Sequence, residues 1–101
     1  MRLTPNERQA LKDAAQTCFD AQAVVRLFGS RLDDRRKGGD IDVHIATNLT
    51  DPAQIARAHS RFLAQIYASM GEQKIDVLID YPPKQQELPV YRIAREQGVV
   101  L

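Results

Sequence analysis

The run Asp40-Ile41-Asp42-Val43-His44-Ile45 alternates strictly between polar and apolar residues. A period of two predicts a β-strand with one packed face. Ile41, Val43 and Ile45 then point into a core, while Asp40, Asp42 and His44 share the opposite face. The chain must therefore build a sheet that buries one side and carries carboxylates on the other. Ala23-Val24-Val25-Arg26-Leu27-Phe28, rich in β-formers and halted by Gly29, predicts a strand before this one. Lys74-Ile75-Asp76-Val77-Leu78-Ile79-Asp80 predicts one after it, and Tyr81-Pro82-Pro83 is its rigid exit.

Helices fill the remaining stretches. Thr4-Pro5-Asn6-Glu7 reads as an N-cap, a proline at the first helical position and a glutamate three residues after the cap. Leu11, Ala14, Ala15 and Cys18 follow on one helical face. Asp51-Pro52-Ala53-Gln54 opens a second helix whose apolar face carries Ile55, His59, Phe62, Ile66 and Met70, with Leu63 and Tyr67 beside it and Gly71 at its end. A short last helix is expected from Pro89 to Gly98. Residues 29–39 are polar, end in Gly38-Gly39 and have room for a loop with one helical turn. That connection is too short for a crossover, so the first two strands should be antiparallel. The second and third strands are joined through a full helix and can be parallel. The expected fold is α/β, a small mixed β-sheet with flanking helices, in one domain over residues 1–101.

Composition narrows the class. With 101 residues the chain can bury one core and little more. A net charge of +1 argues against a surface that binds nucleic acid directly. No apolar run is long enough for a membrane span, and Met1-Arg2-Leu3-Thr4-Pro5 lacks the core of a signal peptide, so a cytoplasmic location is expected. A single cysteine, Cys18, offers no internal disulfide or metal-ligand spacing and reads as packing.

The chemistry lies in three carboxylates and one loop. Asp40 and Asp42 project together, roughly 6.5–7 Å apart along the strand. If the third strand lies alongside, Asp76 joins them. Three converging carboxylates repel one another unless a cation is present. A hard divalent ion such as Mg²⁺ suits oxygen ligands and substrate phosphates, and two such ions can clamp an in-line displacement. Gly29 allows a phosphate close to the backbone, and Ser30 adds a hydroxyl donor. Arg31, Arg35, Arg36 and Lys37 form the densest basic cluster in the chain and can neutralise a triphosphate, although Asp33 and Asp34 dilute their field. Each feature alone is common: a Gly-Ser turn is usually a turn, and Asp-x-Asp is often a solvated face. Together they fit phosphoryl or nucleotidyl transfer. His44 shares the carboxylate face but is expected near the edge of the site. His59 reads as packing, and Asp80 as an edge or cap residue.

Phe28-Gly29-Ser30, nine intervening residues, Asp40-Ile41-Asp42-Val43, and then Asp76 on a later strand form a pattern that resembles the DNA polymerase β-like nucleotidyltransferase superfamily. The resemblance runs from about Ala23 to Asp80, and the short chain is similar to the minimal (MNT) branch, which has only the catalytic core. It implies Asp40 and Asp42 as ligands of two Mg²⁺ ions, Asp76 as a third carboxylate that helps activate the acceptor hydroxyl, and Gly29 and Ser30 as binders of the nucleotide phosphates. Arg31 often follows the Gly-Ser pair in that branch; Arg35, Arg36 and Lys37 are assigned from charge and position. The resemblance further implies an antitoxin of a two-gene pair. Such an enzyme transfers AMP from ATP to a tyrosine of a helical HEPN-domain ribonuclease toxin, and the added phosphates block RNA binding. Two other readings stay open. One is an antitoxin that neutralises by binding alone, and the other is transfer of a nucleotide to RNA or a small molecule.

Overall fold

The computed structural model describes residues 3–29, 40–82 and 89–101. Helix α1 (Pro5–Cys18) begins as its sequence predicts. The Thr4 hydroxyl accepts from the Glu7 N–H at 3.1 Å, and the Glu7 carboxylate accepts from the Thr4 N–H at 2.9 Å. Reciprocal capping of this kind satisfies donors that the first turn would otherwise leave unpaired. Strand β1 (Val24–Phe28) follows, then β2 (Ile41–Ala46), α2 (Pro52–Met70), β3 (Ile75–Asp80), α3 (Pro89–Gln97) and β4 (Val99–Val100). Asp51 caps α2, and Gly71 ends it at a positive φ of 80°, a conformation a side chain would strain.

The strands of the described residues form one four-stranded mixed sheet in the order β3-β2-β1-β4. β1 pairs antiparallel with β2 and with β4, whereas β2 and β3 run parallel. The two expected pairings, antiparallel across the short loop and parallel across α2, are those observed. β4 was not expected: two residues carry no periodicity, and only their pairing with Arg26 and Leu27 makes them a strand.

The odd-numbered residues of β1 and β2 supply the core. Val25, Leu27, Ile41, Val43 and Ile45 pack with Leu11, Ala14 and Ala15 of α1 and with Ala58, Phe62 and Ile66 of α2. Each fully buried large side chain contributes about 1.5–3 kcal/mol by leaving water. Ile75, Val77 and Ile79 are only partly covered because β3 is an edge strand. Cys18 is half-buried against this core, and its Sγ–H donates to Gln65 Oε1 at 3.5 Å, consistent with a packing role. Burial pushes the Cys18 thiol pKa up, and nearby Arg61 only partly offsets this.

α3 lies on the other face. Its Arg95 reaches Asp80, whose side chain shares the even-numbered face with Asp42 and His44, and its Ala94 is fully buried apart from the main core. The sheet is thus covered fully on one side by two helices and partly on the other by one. No helix of the described residues is long and apolar enough to cross a membrane.

Candidate functional site

The parallel pairing of β2 with β3 decides which carboxylates meet. Asp42 and Asp76 are direct register partners. Residues paired in register on adjacent strands lie roughly 4.8 Å apart and point to the same face. Asp42 is half-buried and Asp76 is exposed. Asp40 precedes β2 at the same end, where the Ile41 N–H donates to the Lys74 carbonyl at 3.0 Å.

Gly29 closes this end of the sheet from the other side. It follows Phe28, the register partner of Asp42. Its φ is 78°, in the left-handed region. A Cβ there would collide with the Asp42 carboxylate. Glycine is required twice over, for its backbone angle and for the close approach of backbone to carboxylate. The sequence placed Gly29 and Asp42 in one site, and they are adjacent in the fold.

Asp40 behaves differently. Its Oδ2 lies 3.4 Å from Lys74 Nζ. Among the described residues, no group of three His, Cys, Asp or Glu side chains is gathered closely enough to hold a metal ion. Without a cation, mutual repulsion keeps carboxylates apart, and a nearby ammonium is a favourable neighbour for Asp40. The donor chemistry is of the kind Mg²⁺ takes: Asp42 and Asp76 are register partners that carry hard oxygen ligands, with Asp40 at the same edge, although the three are not gathered around one point. The pairing of Asp40 with Lys74 is solvent-exposed and therefore weak. Ser30, Arg31, Arg35, Arg36 and Lys37 lie outside the described residues.

The opposite end of the same face is closed. His44 is fully buried, and its Nε2 lies 3.1 Å from Asp80 Oδ2. Arg95 Nη1 donates to the same oxygen at 3.0 Å. Burial lowers the His44 pKa from its ordinary 6.5, and the positive charges of Arg26 and Arg95 push the same way against the opposing pull of Asp80. The neutral ring donates from Nε2 to the carboxylate, an assignment made from the bonding pattern. Its Nδ1 is buried with no hydrogen-bond partner among the described residues. The expectation that His44 borders the site is corrected here: flanking strands and α3 enclose it, and its ring is turned to Asp80. Asp80 does end an edge strand, but its side chain is 11% exposed and ties α3 to the sheet.

Lys74 and Arg95 were not singled out in the sequence. Lys74 shares strand parity with Asp76, which was a usable signal; Arg95 had none, because it meets Asp80 only through the docking of α3. No family model, no curated protein and no solved structure matches this chain.

Proposed function

We propose that the chain is a Mg²⁺-dependent nucleotidyltransferase of the polymerase β-like type. The observation that carries this reading is the meeting of Asp42 and Asp76 in register on parallel strands, with the Gly29 backbone packed against the Asp42 carboxylate. A glycine turn beside carboxylates supports this reading, because nucleotidyl transfer needs a close approach of phosphate to backbone next to cation ligands. Asp42 and Asp76, with Asp40 once it parts from Lys74, would hold the metal. When bound, Mg²⁺ supplies charge neutralisation on the phosphates and the leaving pyrophosphate.

The protein's own residues do the rest. Gly29 admits the phosphates against the backbone, and Ser30, Arg31, Arg35, Arg36 and Lys37 are assigned from the sequence to bind them. Asp76, the most open of the three carboxylates, takes the proton of the acceptor hydroxyl. The hydroxyl oxygen then bonds to the α-phosphorus of ATP, the bond from that phosphorus to the bridging oxygen breaks, and pyrophosphate leaves. We assign the acceptor to a tyrosine of a HEPN ribonuclease toxin, which makes this chain its antitoxin. Support comes from the exposure of Asp76 at a sheet edge, where a second protein can present a side chain.

The test combines the chain with an adjacently encoded HEPN protein, ATP and Mg²⁺, and weighs the partner by mass spectrometry. Gain of one or more AMP masses, lost with Asp40→Ala plus Asp42→Ala, is expected. No mass gain, with inhibition of the partner surviving the double substitution, would sink catalysis and leave neutralisation by binding.

A further inference from the structure

Lys74 immediately precedes β3, and its ammonium lies 3.4 Å from Asp40 Oδ2. The backbone sets this meeting up, because the Ile41 N–H to Lys74 carbonyl bond pins residues 40 and 74 to the first rung of the parallel ladder. The ion pair itself is loose: the Lys74 side chain is 77% exposed and that of Asp40 36%. A long side chain held by one exposed contact parts from it readily. Yet the place is particular. Asp42 and Asp76 lie at the same end of the same two strands, so the ammonium sits at the edge that carries the three carboxylates. It can relieve their charge until a divalent cation arrives. An ammonium is also a good point-charge ligand for phosphate.

We infer that Lys74 is an exchangeable counter-ion of this site. It is one counter-ion of Asp40 in the resting protein, and it moves to a phosphate of the incoming nucleotide when a divalent ion takes the carboxylate. This inference rests on the reading of the edge as a metal and nucleotide site, and it gives Lys74 a positioning role in that site. Two consequences of opposite sign follow. Removing the ammonium should tighten binding of a bare cation, since a competitor and a like charge are lost. It should weaken binding of the nucleotide, since a phosphate ligand is lost. A lysine with a merely structural role would produce neither change.

The experiment uses Mn²⁺ as a paramagnetic substitute for Mg²⁺, titrated into wild type, Lys74→Met, Lys74→Arg and Asp42→Asn and followed by electron paramagnetic resonance. A second titration adds a non-hydrolysable ATP analogue at saturating Mn²⁺, followed by calorimetry. Lys74→Met is expected to bind Mn²⁺ about two- to fivefold more tightly, the range set by the strength of exposed ion pairs. It should bind the analogue more weakly by a similar factor, with Lys74→Arg near wild type in both titrations. Unchanged or weaker Mn²⁺ binding by Lys74→Met, or unchanged binding of the analogue, overturns the inference. If wild type binds Mn²⁺ and Asp42→Asn does not, the metal site stands whatever Lys74 does. If wild type binds no Mn²⁺, the site falls and the inference with it. Circular dichroism melts of every variant exclude unfolding as the cause.

Discussion

The even-numbered face of β2 and β3 carries carboxylates at both ends, and the two ends have opposite fates. At one end Asp76 is exposed and Asp42 is half-buried against Gly29, with Asp40 leaning to a solvent-exposed lysine. At the other, Asp80 is enclosed beneath α3 with His44 and Arg95 as its hydrogen-bond partners. The residue types and strands are the same; the difference is the cover. Under a helix, an acid must be matched by donors, because an unpaired buried charge is too costly. Beyond the helix, acids can share one edge without a fixed donor for each, because water solvates them. One end holds the fold, and the other is where the proposed chemistry would take place.

The largest break in this comparison should come from the open end, in activity rather than stability. Asp42→Asn preserves shape but removes a charge from the proposed cation site. The proposed transfer of AMP to a partner protein is expected to fall about a thousandfold, equivalent to ~4 kcal/mol of transition-state stabilisation. The thermal midpoint should move little. A large loss of stability with activity per folded molecule retained would assign Asp42 to the structural set.

At the closed end the effect should invert. Asp80→Ala strips Arg95 and His44 of their shared acceptor and loosens α3. Breaking a buried pair from one side costs roughly 3–5 kcal/mol, and the partial exposure of Arg95 reduces this to about 2–3 kcal/mol. Urea unfolding measures it. A shift below about 0.5 kcal/mol would mean that α3 is held by its apolar contacts alone.

Gly29 links the two themes and sharpens the comparison. Gly29→Ala meets both a positive φ and the Asp42 carboxylate. The backbone angle alone costs about 1–2 kcal/mol, and the collision forces Asp42 to move. Stability and transfer should therefore fall together, unlike either variant above. Alanine tolerated in both measurements would show that the turn relaxes freely and that its closeness to Asp42 is not needed.

These contrasts also explain what could be read in the chain. Element boundaries were legible because local chemistry specifies them: the Thr4 and Glu7 capping pair, Pro52 after Asp51, and the alternation from Asp40 to Ile45. Strand directions followed from connection lengths. Half of the candidate site was legible as well, since parity places Asp42 and Asp76 on one face and glycine explains the turn. Parity, however, does not reveal cover. Nothing local separates Asp80 from Asp76, four residues apart on the same strand face; only the docking of α3 does. His44 was misread for the same reason. The two residues of β4 are invisible without their partner strand, and the pairing of Lys74 with Asp40 depends on a register that no single strand contains.

The smallest predicted effect is a pH dependence at the closed end. The pKa of His44 is lowered in the folded protein by burial and by the nearby Arg26 and Arg95, with Asp80 opposing. In the unfolded chain it returns to about 6.5. Between the folded and unfolded values the unfolded chain binds more protons, so stability rises with pH across that window. The contribution is present in full above about pH 6.5, declines as the pH falls below it and levels off beneath the folded value. Asp20 adds a separate acid-side loss at lower pH. Its burial would raise its pKa, but hydrogen bonds from Thr47, Asn48 and Gln22 outweigh this and hold it below 3.8. Urea midpoints between pH 7.5 and 5 should therefore fall gently in wild type, and His44→Gln should flatten that slope while leaving the drop below pH 4. An equal slope in the variant would locate the proton elsewhere and remove His44 from the set of groups that distinguish the closed end from the open one.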